Sequence, residues 1–382
     1  MIDAVEVRSQ IERYEGFVAR DPSNVNLRGQ IADMYLQLGD FPNAARALDK
    51  AIALSSENPA LRSQRAVVAI ASGQFEDAEA RLRALIAEGV DAPAIRYNLA
   101  YALMYQQRYD EARECLQEIA NLADAPPDTA ILLARTLHHL GNLDEARACL
   151  SHYLEKTSDN AEAMGVMALL ALDAEDLAAA KEYGEKAVEL GKDNLEGLVT
   201  LGSLALEQQN ETEARRNFEQ AVERHRRSGR AWAGLGLAEM LGMRLDQAKA
   251  DLEKAVQYMP NHIGTLHALA WARIVTGDLA GAEAAFAKAN EIDHNFGETH
   301  GGLAVTAVLQ GRIAEAERLV RVALRLDPQS FSARYAESLL MSKQGKTDAA
   351  KETIFKILNA PIKAGGDSLN TRLSALMRRK QK

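Results

Sequence analysis

The stretch GRAWAGLGLAEMLGMRLDQAKADLEKAVQYMPNH, residues 229–262, is one copy of a repeat that organises nearly the whole sequence. Around it, Gly39, Gly73 and Gly141 stand 34 and then 68 residues apart, and Gly277, Gly311 and Gly345 continue the same phase without a slip. Setting these glycines at position 15 of a 34-residue unit starts the first unit at Val25 and yields ten gapless units over residues 25–364. Position 20 is then alanine in every unit, from Ala44, Ala78 and Ala112 through Ala248 to Ala350. Position 8 is small throughout, as in Ala32, Ala100, Gly202, Gly236 and Ser338, and a small residue at a fixed helix position lets two axes approach closely. Position 24 is large and apolar in nine units, as in Leu48, Leu116, Phe218 and Phe286, with Gly184 the exception. Eight of the nine prolines, including Pro59, Pro93, Pro127, Pro260 and Pro328, mark unit boundaries, where proline ends one helix or opens the next. Each unit reads as two antiparallel helices joined by a short turn.

This pattern closely resembles the tetratricopeptide repeat, whose signature is matched by Trp232, Leu235 and Gly236 together with Ala248, Leu252 and Pro260. The resemblance covers about nine-tenths of the chain and implies an all-α superhelix, a solenoid of ten helix-turn-helix units. Residues 1–24 are predicted to form an N-terminal capping helix, with Gln10, Tyr14, Phe17 and Pro22 in phase with the second helix of a missing unit. Residues 365–382 are predicted to form a basic amphipathic capping helix or tail, with Leu369, Leu373, Leu376 and Met377 on one face. Caps are needed because a terminal repeat exposes a core face.

Composition excludes several classes. The 382 residues carry 45 Lys and Arg against 54 Asp and Glu, a net charge of −9, whereas nucleic acid and anionic lipid call for clustered cations. Nucleic acid is therefore not expected as a partner. Two Cys cannot make a disulfide scaffold. Cys115 and Cys149 share position 23 of neighbouring units and read as packing thiols. The longest apolar run, residues 163–172, is about half of the roughly 20 residues a membrane helix needs. The N-terminus lacks a basic start and an apolar stretch, so the expected location is cytoplasmic, or periplasmic where a leader has been removed.

No chemistry is visible in the sequence. Gly345-Lys346-Thr347 is not a phosphate loop, because Leu340 stands where that motif needs glycine. His138 and His139 point about 100° apart on a helix and lack a third ligand at metal-binding spacing. No cofactor, metal or catalytic activity is expected.

The resemblance implies that the first helices line a concave face, with positions 2, 5, 9, 12 and 13 toward the ligand. The third and fourth units then present Tyr97, Tyr101, Tyr105, Arg135, His138 and His139, an aromatic and hydrogen-bonding patch. The fifth and sixth present Glu162, Asp173, Glu196 and Glu207. The seventh to ninth present Leu237, Met240, Leu241, then Trp271, Ile274, Val275, then Val305, Val308 and Leu309. Exposed, that last stretch makes an apolar patch of several hundred Å², the size of an interaction site; tight curvature would instead bury it against neighbouring repeats. Position 5 offers no Lys or Arg in Gly29, Ser63, Tyr97 and Ile131, and position 6 offers Asn only at Asn98, so neither the carboxylate clamp nor the asparagine ladder of the family fits. Position 11 holds Glu239 and Arg273, spaced for a cross-repeat ion pair, and Arg65 stands at an apolar position without an assigned partner.

The expected function is a protein-interaction scaffold or adaptor that takes an apolar or amphipathic partner segment, with assembly of a bacterial multiprotein complex as the setting that the Ala- and Arg-rich composition suggests. Two alternatives stay open. One is self-assembly through contacts of the tail with the groove; the other is a non-catalytic regulatory subunit of an enzyme such as a glycosyltransferase.

Overall fold

The computed structural model describes residues 4–360 together with Ser368, Asn370 and Thr371. The tail predicted at 365–382 lies, those three residues apart, outside the described residues. Helices dominate, and no strand occurs among the described residues. The chain divides into two compact units, Met1–Leu170 and Ala171–Lys382.

The first unit contains α1 (Ala4–Arg20), α2 (Val25–Gln37), α3 (Phe41–Leu54), α4 (Pro59–Ala71), α5 (Phe75–Ala87), α6 (Pro93–Tyr105), α7 (Tyr109–Ile119), α8 (Thr129–His139), α9 (Leu143–Lys156) and most of α10 (Ala161–Asp173). From α1 to α9 each helix packs on the next, and α2, α4, α6 and α8 also touch in series. α1 covers the outer side of α2, with Val7 and Ile11 buried against Ile31 and Met34. The second unit contains α11 (Leu177–Leu190), α12 (Leu195–Glu207), α13 (Glu211–Arg224), α14 (Gly229–Leu241), α15 (Leu245–Tyr258), α16 (Ile263–Val275), α17 (Leu279–Ile292), α18 (Gly297–Leu309), α19 (Ile313–Leu326), α20 (Phe331–Lys343) and α21 (Thr347–Asn359). There α12, α14, α16, α18 and α20 form the inner series. Both units are all-α solenoid packings.

Local chemistry sets the helix ends. Asn24, Asp40, Asn194, Asn210, Ser228 and Ser330 each accept a hydrogen bond from the backbone N–H three residues on, satisfying a donor that helix geometry leaves free. Between the paired helices, position 15 is left-handed without exception. Gly39, Gly73, Gly141, Gly277, Gly311 and Gly345 have φ between 70° and 84°, and Gln107, Glu175, Gln209 and Met243 take φ of 62°, 59°, 56° and 62°.

The core follows the repeat. Alanines at position 20 are fully buried, as in Ala44, Ala112, Ala214 and Ala316, with Leu48, Leu82, Leu116 and Leu252 beside them at position 24. Where position 24 is a larger ring, its neighbours shrink to glycine: a Cβ on Gly202 or Gly234 would strike Phe218, and one on Gly302 would strike Phe286. At Gly184, where position 24 has no side chain, Leu201 occupies the space.

One pattern of polar contacts between repeats recurs at two places. Arg108 holds Glu79 of the preceding pair at 2.7 Å and Glu111 of its own at 2.6 Å; Arg312 does the same with Glu283 and Glu315. Gln106 and Gln310 donate to the same two carboxylates, Glu79 and Glu283. On α13 and the α14–α15 turn the two ladder positions are both arginine, Arg215 and Arg244, and the buried Glu239 lies between them, paired with each.

One expectation needs correction here. Glu239 and Arg273 do not pair with each other, because position 11 faces the second helices rather than its counterpart on the next repeat. Arg273 is taken by Glu253 at 2.9 Å, by Asp278 at 3.7 Å and by the Gly281 carbonyl at 3.0 Å. Arg65 is partnered: its buried guanidinium lies 3.0 Å from Asp49 and 3.6 Å from Asp77 on the flanking helices α3 and α5.

Candidate functional site

In the first unit, α6 and α8 bring the aromatic patch together. Tyr97, Tyr101 and Tyr105 follow one another every four residues, so they share a helix face. The Tyr101 and Tyr105 hydroxyls are 3.3 Å apart, and the Tyr105 ring stacks on Phe75 at 4.8 Å. Arg135 pairs with Glu162 at 2.5 Å on the neighbouring side. Burial pushes the Tyr97 phenol up to about 12, with Asp128 and Glu162 adding to it. Burial likewise raises Tyr101, helped by its bond with Tyr105. Both hydroxyls therefore remain neutral hydrogen-bonding groups through the physiological range. His138 lies 5.9 Å from His139, whose ring stacks on Tyr109 at 4.6 Å.

Phe75 and Tyr109 were not among the predicted site residues. Their signal was in the repeat phase, since Phe41, Phe75 and Tyr109 all occupy position 17 at the start of a second helix. The ring at position 17 stacks on position 13 of the following repeat, which is how Tyr105 and His139 are held.

In the second unit the acidic residues separate. Glu207 is the last residue of α12 and Glu196 lies in its first turn, about 16 Å away along the helix at 1.5 Å per residue. Asp173 and Glu207 are exposed and Glu196 is half-buried. Glu196 sits where a helix dipole favours a carboxylate, which gives it a structural reason to be there.

The apolar stretch splits into a floor and a rim. Val305 and Val308 are buried, so for these two the solvent-facing expectation fails and the packing alternative holds. The cause is glycine: any side chain at Gly301 would run into the backbone of Ala333, so α20 lies directly on α18. Trp271 is half-buried, edge-on to Phe286 and 6.2 Å from Tyr335, and it packs with Tyr335 against the cluster that holds both valines. Above this floor Leu237 is 41% exposed, Val275 55% and Leu309 42%, and Met240, Leu241 and Ile274 are half-buried. Met243, a turn residue absent from the prediction, is exposed just beyond Leu241.

Among the described residues no group of three or more His, Cys, Asp and Glu is placed to hold a metal ion, and no helix is long and apolar enough to cross a membrane. Cys115 and Cys149 are free and half-buried, and burial raises both thiols.

Family models described as tetratricopeptide repeat match residues 35–95 and 244–305, residues 199–263, residues 127–151 and 297–321, and residues 93–125. No curated protein matches the sequence. Among solved structures, the APC/C hetero-tetramer Cut9–Hcn1 aligns with 91% of this chain and 75% of its own, at 14% identity and a TM-score of 0.51. The human IFIT1 dimer with m7Gppp-AAAA aligns with 87% of this chain and 89% of its own, at 16% identity and a TM-score of 0.53. A monomeric IFIT1 mutant with Gppp-AAAA gives 15% identity, 87% and 90% coverage and a TM-score of 0.54. At such identities these likenesses speak for the fold alone. Repeat phase, helix pairing and family matches agree, and the chain belongs to the tetratricopeptide-repeat family.

Proposed function

We propose that this protein is a non-catalytic interaction scaffold whose unit Ala171–Lys382 holds an amphipathic helix of a partner protein. The observation that carries this reading is the row Leu241, Val275 and Leu309, the same repeat position on the consecutive inner helices α14, α16 and α18, with Leu237 beside it. Neighbouring helices lie about 8–10 Å apart, so the row offers apolar contacts at intervals that one face of a helix can span. Trp271 and Tyr335 stiffen the floor beneath it. Rigid, partly exposed rings of this kind dominate binding energy at interfaces.

The acidic balance of the chain favours a partner helix with basic residues on its polar face, and it argues against nucleic acid. That second point rests on this chain's charge only, since IFIT1 shares the fold and is seen with m7Gppp-AAAA. A photo-crosslinking amino acid at Val275, expressed in the source cells, tests the reading. One predominant adduct with a helical protein segment is expected at Val275, lost on Leu241→Asp and Leu309→Asp while helicity by circular dichroism is kept. Adduct formation unaffected by both substitutions overturns it.

A further inference from the structure

Most Lys and Arg residues of α2 to α8 and the turns between them have a carboxylate partner. Between residues 25 and 140, eight arginines, from Arg62 to Arg135, lie within ion-pair distance of Asp or Glu. The remaining three cations, Arg28, Arg46 and Lys50, have no ion pair among the described residues, and all three line one solvent-open cavity of about 510 Å³ bordered by α1, α2 and α3. Arg28 donates through Nη2 to the Pro22 carbonyl at 2.9 Å, while its Nε is buried with no hydrogen-bond partner. Arg46 bonds only the side-chain oxygen of Asn43. Glu15 is the one carboxylate in the lining, and it is engaged by the Tyr35 hydroxyl at 2.9 Å. Val18, Ile31 and Ala47 supply an apolar wall.

In a chain of net charge −9, gathering these three cations in one concavity against the single carboxylate of Glu15 leaves a local excess of positive charge. A buried N–H without a partner is costly. Guanidinium groups match the planar, multi-oxygen geometry of carboxylate and phosphate, and the volume falls within the roughly 300–1,000 Å³ of small-molecule sites. We propose that this cavity binds a small amphiphilic oxyanion, a carboxylate or phosphate carried on a short apolar chain. Arg46 and Lys50, one helical turn apart on α3, face the oxyanion together, Arg28 adds its charge from α2, and the chain lies on Val18 and Ile31. The proposal does not rest on the partner-binding reading of the second unit.

Calorimetric titration of the full chain with octanoate, octyl phosphate, inorganic phosphate and 1-octanol tests it. At least one of the two amphiphilic anions is expected to bind saturably at one site per chain, more tightly than inorganic phosphate or octanol, and the tighter of the two identifies the oxyanion. Arg46→Ala/Lys50→Ala, two exposed positions, is expected to keep its helicity and weaken that binding by about tenfold or more, as the loss of charge-assisted hydrogen bonds implies. Lys181→Ala/Lys186→Ala, two residues that do not belong to the lining, is expected to leave it unchanged. Absence of binding by both anions, octanol binding as tightly as they do, or equal weakening in the two double variants overturns the proposal.

Discussion

Position 15 shows how much a single residue of the repeat is asked to do. The backbone there is left-handed in every helix pair, a conformation that costs a residue with a Cβ roughly 1 kcal/mol, yet Gln107, Glu175, Gln209 and Met243 occupy it. Apart from the glycine itself and its two chain neighbours, no atom lies within 4 Å of the Cβ that would be added at Gly141 or Gly277, so the cost of a side chain there is conformational only. Gln107→Gly is expected to stabilise the protein by about 0.5–1 kcal/mol and Gly141→Ala to destabilise it by about 1 kcal/mol. Urea denaturation followed by circular dichroism at 222 nm checks both; a stabilising Gly141→Ala would refute the argument. The glycine phase located this turn in the sequence. The four other residues carry no sign of φ > 0, so their conformation became legible only through the register.

At the scale of elements, helix pairs are matched to each other by compensating sizes and charges. Phe218 on α13 fits because Gly202 on α12 and Gly234 on α14 leave room for its ring. Gly234→Ala is expected to cost about 1–3 kcal/mol by overpacking. Phe218→Leu in the same chain should recover much of that loss, so that the double variant is more stable than the two single changes predict by about 1 kcal/mol or more. Simple additivity in equilibrium unfolding would show that the ring and the glycine are not matched. Each of these residues is visible in the sequence, but their match requires knowing that position 24 of one repeat meets position 6 of the next. The same holds for charge. Glu239 and Arg273 looked like a pair along the inner helices, whereas each is matched to charges on the second helices and turns: Glu239 sits between two arginines, and Arg273 answers Asp278 and Glu253.

For the whole molecule, the helical fold was legible because a repeated core states its rule many times, so that alanine at position 20 and a small residue at position 8 are unmistakable. The candidate surface was less so, because exposure depends on how closely successive inner helices approach. Gly301 sinks α18 beneath α20 and turns Val305 and Val308 into floor, while Val275 and Leu309, at the same repeat position on adjacent helices, remain exposed. Stability should be distributed by the same neighbour logic. In a repeat array each pair is held by its own contacts and by those with its neighbours, and segments with fewer buried contacts open at lower free energy. Helices α13 to α19 are flanked by packed helices on both sides and contain the fully buried Phe218, Leu252 and Phe286. By contrast, α21 buries only Ala350 and Ile357 and leaves Phe355 66% exposed, and α1 buries only Val7 and Ile11. Hydrogen exchange followed by mass spectrometry is expected to show slowest exchange in α13 to α19 and exchange faster by at least about a hundredfold in α1 and α21, the ratio that a difference of about 3 kcal/mol in local opening produces. Equal protection across all of these helices would mean that they open as one cooperative block, and the nearest-neighbour account of this chain's stability would fail.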